Sequence, residues 1–534
     1  MPISKKSGDL TSNYNKKISK CLHIFIFLLC TSWGLSLQGQ EIKVNLSPSA
    51  RIEDEVTNFH RYGEFLYSDK TNWGKMQFAY TANLKKIKYG VELTQYDEQL
   101  KELKKLLLDN GEKDFGPFRH LVHYGQNAIY IIYFKFIDDN KVKAYVAKVN
   151  PNDLSVVNTK EIMEYEQKNQ AFWGAIKTID DTQIFYTVSQ DGKKAWIVHA
   201  SPKLIISCVI DGDLNIIQKT ESVPVKLEKL LITGAHIDNN GNKILVYRYD
   251  NPNLKEFYER GLFFQPANTN GSFKPVKFPN SYFPGNLTLQ PSKDGKKLYM
   301  GGEYFGEDYS SGGKGVMLCE VNIVSGSIAT PSFYPYMNEL KQRVLDLSFA
   351  SKKKDEIVFR DHHLNYRITE LENGTLVLSS DMKISESGTN ATFYSTGPII
   401  HFFIKPGGSV TVNLIPKKQP SGSVTGFFNY VFKDKLICIY ADRQPVEDKE
   451  IIDKKVPFVS SADGLVPIAN IYDSDGKLLS RKALLDSKIK MKGNLMIGNY
   501  SKIEENKFLF PVGESKVNMV KYYTRVNQIC YLEF

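Results

Sequence analysis

Asp211-Gly212-Asp213-Leu214 follows the apolar run Ile205-Ile206-Ser207-Cys208-Val209-Ile210, and a second strand opens at its leucine. Asp tolerates the left-handed backbone of a tight hairpin and Gly adopts it freely, so the quartet reads as a β-turn between two strands. The same phrase returns along the chain: Tyr96-Asp97-Glu98-Gln99-Leu100, Asn150-Pro151-Asn152-Asp153-Leu154, Asn270-Gly271-Ser272-Phe273, Ser325-Gly326-Ser327-Ile328, Glu372-Asn373-Gly374-Thr375-Leu376 and Asp473-Ser474-Asp475-Gly476-Lys477-Leu478. Its apolar anchors lie 54, 60, 59, 55 and 48 residues apart from Leu100 to Leu376. A gap of 102 residues then precedes Leu478, nearly two periods, and a degenerate copy near Ser421 to Val424 is expected to fill it.

A second turn phrase sits between copies of the first, at Gln190-Asp191-Gly192-Lys193-Lys194-Ala195-Trp196-Ile197, Asn239-Asn240-Gly241-Asn242-Lys243-Ile244-Leu245-Val246 and Ser292-Lys293-Asp294-Gly295-Lys296-Lys297-Leu298-Tyr299. Two hairpins per period make four strands, the content of one propeller blade. The chain therefore reads as all-β: a single β-propeller of seven or eight four-stranded blades. The Ser-x-Asp-Gly-Lys-Lys-Leu-Tyr form at Ser292 to Tyr299 resembles the repeat of TolB-like propellers, in which Ser-Pro-Asp-Gly-Lys precedes an apolar strand. The resemblance covers three blades well and the rest loosely. It implies the fold and no activity, because propellers host unrelated functions.

Composition agrees. Aromatic residues make up 12% of the chain, with 30 Tyr and 31 Phe, and these suit half-buried strands. Tyr96 to Asn110 is the one stretch with a helical alternative, since Leu100, Leu103, Leu106, Leu107 and Leu108 could form an amphipathic stripe. The repeat phrase favours a strand pair there.

Residues 1–39 read as a signal peptide. Lys16, Lys17 and Lys20 precede an apolar run from Cys21 to Leu37, and Gln38-Gly39-Gln40-Glu41 follows. The run is short for a membrane span, so none is expected in the mature chain. Lipidation at Cys30 is disfavoured because Leu28-Leu29 before it lacks the usual small residue. Residues 40–534 then form the propeller domain, exported to the periplasm or the exterior. The style resembles exported propeller proteins of Bacteroidota.

The mature start, Glu41-Ile42-Lys43-Val44-Asn45-Leu46, alternates as a strand should, while the C-terminal stretch after Leu485 supplies about three strands. An N-terminal strand that completes the last blade would close the ring and protect its edges. Four cysteines remain after the leader, Cys208, Cys319, Cys438 and Cys530, each inside an apolar strand and far apart. They read as buried thiols, neither a disulfide framework nor a zinc site.

The formal charge of +10 falls to +6 without the leader, with lysines scattered through turns. That is no nucleic-acid footprint. Arg360-Asp361-His362-His363 is the densest polar cluster, but adjacent strand residues point to opposite faces. His120 and His123 lack the Glu of a helical zinc motif. Asp473-Ser474-Asp475-Gly476 lacks the later Glu of a calcium loop, and Gly312-Gly313-Lys314-Gly315 lacks the Ser or Thr of a phosphate loop. No Gly-x-Ser-x-Gly elbow is present. No catalytic residue, metal ligand or cofactor is assigned.

The loop from Glu303 to Gly315, with Glu303, Glu307, Asp308, Tyr304, Tyr309 and several glycines, combines carboxylates, aromatics and Gly between two strands, a composition suited to ligand or ion contact, although a plain long hairpin is the commoner form. The favoured reading is a monomeric binding or scaffolding module for a protein, peptide or glycan, with Trp73, Trp173, Tyr304, Phe305 and Tyr309 as contacts. The alternative is a glycan hydrolase or lyase with carboxylates converging on the central channel.

Overall fold

Alternating apolar residues and Asp/Asn/Gly turns fold into eight consecutive four-stranded antiparallel sheets, arranged in the ring of a β-propeller. In the computed structural model the described residues run from 42 to 534 with interruptions, the longest being 74–88, 110–118, 224–229, 251–257, 306–312 and 444–464. Val44–Glu533 form one compact unit, and residues 1–43 with Phe534 fall outside it.

Blade 1 comprises Asn58–Tyr62, Phe65–Trp73, Tyr89–Tyr96 and Glu102–Asp109. Blade 2 runs from Arg119–Tyr124 to Val156–Glu166, blade 3 from Ile184–Val188 to Ile216–Ser222, and blade 4 from Leu230–Ile237 to Lys274–Lys277. Blade 5 spans Phe283–Pro291 to Ser332–Pro335, blade 6 His363–Glu370 to Val410–Ile415, and blade 7 Phe427–Phe432 to Leu478–Ala483. A helix, Asn338–Asp346, and a two-stranded ribbon, Ala350–Lys353 with Glu356–Phe359, are inserted between blades 5 and 6. The core lies between blades: Ile132 and Val146 of blade 2, for instance, pack with Ile197 and Ile210 of blade 3.

Blade 8 settles the ring closure. Lys507–Asn518 and Lys521–Glu533 form its middle, and Lys43–Leu46, from the start of the chain, hydrogen-bonds along Lys521–Glu533 as the outermost strand. Just beyond it the Ser47 N–H donates to the Ile529 carbonyl at 2.9 Å, and the Ile529 N–H donates to Ser47 Oγ at 2.9 Å. On the inner side Ser501 Oγ of blade 8 donates to the Phe59 carbonyl of blade 1 at 2.5 Å. The N-terminal strand therefore protects an edge that an open ring would expose.

The turn between third and fourth strands explains the repeat phrase. In blade 3, Asp211 Oδ1 accepts the N–H groups of Asp213 at 2.9 Å and Asn215 at 2.8 Å, and the Leu214 N–H donates to the Asp211 carbonyl at 3.1 Å. Asp97 in blade 1 and Asp473 in blade 7 make the same pair of side-chain bonds. The residue just before the one that closes the turn takes left-handed backbone: Leu100, Leu154 and Leu214 have φ of 61°, 56° and 65°, and Gly476 has 79°. That conformation costs a leucine about 1–2 kcal/mol. All three leucines are buried, which returns about 1.5–3 kcal/mol each and more than offsets the strain.

Two readings of the period need correction. Glu372-Asn373-Gly374-Thr375-Leu376 is the turn between the first and second strands of blade 6, so it belongs with the second phrase. The third-to-fourth turn of that blade is Lys405-Pro406-Gly407-Gly408-Ser409, which carries no Asp or Asn and so departs from the repeat phrase. Ser421 to Val424 lie outside the described residues. The helical alternative for Leu103 and Leu107 gives way to a strand, Glu102–Asp109, on the outer edge of blade 1. Cys208, Cys319, Cys438 and Cys530 are buried free thiols, each pushed up to about 12 by burial.

Candidate functional site

Strand direction alternates within a blade, so first-to-second and third-to-fourth turns share one face of the ring. Many polar groups of these turns are satisfied within the turn or by the next blade. The Asp191 N–H donates to Asn239 Oδ1 at 2.9 Å, and the Lys293 N–H to Glu370 Oε2 at 2.8 Å. Gln190 Nε2 reaches from blade 3 to the Lys293 carbonyl of blade 5 at 3.2 Å. Longer connections leave from the opposite ends of the strands, residues 74–88 after Trp73 and 444–464 after Arg443.

A half-open pocket of about 30 Å3, room for one water-sized group, lies on the tight-turn face between blades 2 and 3. Blade 2 contributes His123, Tyr130, Ile132 and Val146. Blade 3 contributes Tyr186 and Val188 from its first strand, Gly192 and Lys193 from its first turn, and Asp211 and Gly212 from its last. The His123 ring stacks with Tyr130 at 6.1 Å between centroids and lies 5.8 Å from Tyr186. Burial holds the His123 imidazole below its ordinary pKa, favouring the neutral ring, and holds the Tyr186 phenol above its own.

The pocket's hydrogen-bonding groups are unevenly used. Tyr130 donates its hydroxyl to the Gly212 carbonyl at 2.8 Å. Asp211 turns its carboxylate into its own hairpin, where Oδ2 also accepts Asn215 Nδ2 at 3.0 Å. Lys148 pairs with Asp213 beside the mouth at 2.8 Å. In contrast the buried Tyr186 hydroxyl has no hydrogen-bond partner among the described residues. The Lys193 side chain is 79% exposed, with Asp191 at 4.0 Å.

A second polar cluster is sealed inside the protein near the other face. Glu303 of blade 5 is buried, and its Oε1 accepts the Tyr336 hydroxyl at 3.3 Å, which in turn lies 3.2 Å from the Tyr366 hydroxyl. Burial pushes the Glu303 carboxyl up to about 8, against the Tyr336 hydrogen bond and the charge of Arg260. A neutral acid is the consequence at pH 7. Ser379 and His401 of blade 6 resemble a nucleophile and base, with Oγ 2.8 Å from Nδ1. Both are wholly buried, His401 among the rings of Phe403, Phe427 and Tyr472, so a substrate has no access.

The residues singled out as contacts fall in different places. Tyr304 and Phe305 are 7% and 1% exposed, and Tyr304 packs with Leu287, Met300 and Met317 between blades. Their rings fill the core, because strand Leu298–Phe305 is buried along its whole length. Trp73 ends the second strand of blade 1. Trp173 and Tyr309 lie outside the described residues, as do Arg360, Asp361 and His362. Of the His120 and His123 pair, His123 reaches the pocket. Tyr130 and Tyr186 went unremarked in the sequence, and Lys193 and Asp211 read there only as turn residues. Among the described residues, no group of three or more His, Cys, Asp or Glu is placed to hold a metal ion.

No protein-family model matches the chain, and no curated protein matches it. Its structural neighbours are β-propellers. The propeller domain of the Trilobed protease from Pyrococcus furiosus is 11% identical with a TM-score of 0.34, over 82% of this chain and 98% of that one. The Dos1 propeller is 10% identical with a TM-score of 0.42, over 91% and 95%. TolB from Acinetobacter baumannii is 10% identical with a TM-score of 0.25, over 78% and 79%. Likeness at this level adds nothing to the sheet topology, on which the fold stands. The class is that of β-propellers; no helix among the described residues is long and apolar enough to cross a membrane.

Proposed function

We propose that this chain is a binding or scaffolding propeller, exported by a leader of residues 1–39, that engages a protein, peptide or glycan. The observation that carries the reading is the pocket between blades 2 and 3, with two tyrosines and a histidine around an unpartnered buried hydroxyl. A convergence of apolar walls with a few unsatisfied polar groups is the common form of a ligand site. The rigid stacking of two blades holds those groups without a ligand present. Trp73, Trp173 and Tyr309 are a second set of contacts to be tested.

Binding of the purified chain to a combined glycan and peptide array tests this reading. Tyr186→Phe, which deletes one hydroxyl, is expected to reduce the signal of the best ligands without lowering the melting temperature. An array on which wild type and variant are indistinguishable contradicts it. The leader is tested separately by the N-terminal sequence of the protein recovered from an expressing culture, expected to begin near Gln40.

A further inference from the structure

We infer that the pocket between blades 2 and 3 recognises a carboxylate, contributed by an acidic side chain or an acidic sugar. The inference rests on the binding-module reading and names the chemistry of its ligand. It follows from which groups at the pocket are already committed. The charged and carbonyl acceptors of the blade 3 hairpin are engaged: the Gly212 carbonyl takes the Tyr130 hydroxyl, the Asp211 carboxylate takes two N–H groups and an amide of its own hairpin, and Asp213 is paired with Lys148.

The donors are not engaged in the same way. Tyr186 presents a buried O–H with no partner among the described residues, a group whose desolvation is costly until something accepts from it. Lys193 brings a largely exposed ammonium at the mouth, 4.0 Å from the Asp191 carboxylate. A neutral His123 ring offers one further N–H beside its acceptor nitrogen. These donors suit a ligand that accepts hydrogen bonds and carries negative charge. Charge-assisted bonds from O–H and ammonium donors to a carboxylate are the strong ones. The volume suits one carboxylate oxygen in the pocket beside Tyr186, with the other towards Lys193 at the open mouth. The rings of Tyr130 and His123 then cover the apolar part of whatever bears the acid.

Calorimetric titration of the full chain tests this with five probes: propionate, glucuronate, N-acetylglutamate α-amide, glucose and propylammonium. Propionate and at least one of the two larger acids are expected to bind, with glucose and propylammonium at least tenfold weaker. Tyr186→Phe and Lys193→Gln are each expected to weaken the acids by about tenfold. Lys193 is largely exposed, so its variant keeps the test open even where the Tyr186 variant changes stability. Preference for glucuronate identifies an acidic sugar, and preference for the glutamate derivative an acidic peptide. Tighter binding of glucose or propylammonium that depends on Tyr186 overturns the carboxylate assignment and leaves the binding site standing. Absence of any binding that responds to either variant overturns both.

Discussion

Leu214 and Gly476 occupy the same position of the same turn in blades 3 and 7, both left-handed, with φ of 65° and 79°. In each turn an aspartate at the start, Asp211 or Asp473, accepts two backbone N–H groups. Leucine accepts backbone strain there because its side chain is buried; at 476 a Cβ would crowd Phe403 and Asn413 of blade 6, so Gly is required. One turn thus uses the two residues for opposite reasons.

The order of two substitutions at 214 tests this. Leu214→Ala and Leu214→Gly both lose the buried side chain, about 2–5 kcal/mol. Glycine also releases the left-handed strain, so Leu214→Gly should be the less destabilising by about 1 kcal/mol in urea unfolding. In an ordinary strand the order is reversed. Alanine found more stable than glycine contradicts the turn geometry.

Ring closure predicts a cooperative loss. Removing residues 41–47 deletes the outermost strand of blade 8 and the Ser47 bonds to Ile529. The melting temperature should fall for the whole propeller in one transition, and an unchanged melt rejects closure by this strand.

Stability should be lost on both sides of neutrality. Glu303 titrates at about 8 in the fold against 4.5 normally, so between those values the unfolded chain gives up a proton that the native state keeps, and stability falls as pH rises. Burial lowers His60 and His236 to about 4 and His401 to about 3. Below 6.5 the unfolded chain binds protons that these rings refuse, so stability falls as pH falls. Glu303→Gln should flatten the limb between pH 4.5 and 8 and leave the acid limb in place. Urea midpoints across pH 4 to 9 measure both.

The thiols supply a kinetic probe. Because burial raises Cys208, Cys319, Cys438 and Cys530 to about 12, a thiol reagent at pH 8 should leave all four unlabelled in the native state and label them together on unfolding. Rapid labelling of one of them before unfolding contradicts its placement.

Local chemistry made the hairpins legible in the sequence. Asp211, Asp97 and Asp473 obey the same turn rule wherever they occur, and the alternating start at Val44 marked the closing strand. The count slipped at blade 6 because Asn373-Gly374 serves equally well in either kind of turn, and because the helix Asn338–Asp346 and its ribbon lengthen the interval before that blade. The pocket was not legible for a different reason. His123, Tyr186, Lys193 and Asp211 come from separate strands and turns of two blades, and only the stacking of those blades brings them together. Tyr304 and Phe305 misled because a polar, Gly-rich continuation follows them, while their own strand is buried throughout.

The most direct measurement is a crystal structure of the chain soaked with propionate. A carboxylate oxygen within hydrogen-bonding distance of the Tyr186 hydroxyl, with Lys193 turned towards it, is the expected result. A pocket that holds only water at a propionate concentration saturating the protein in solution would contradict the account.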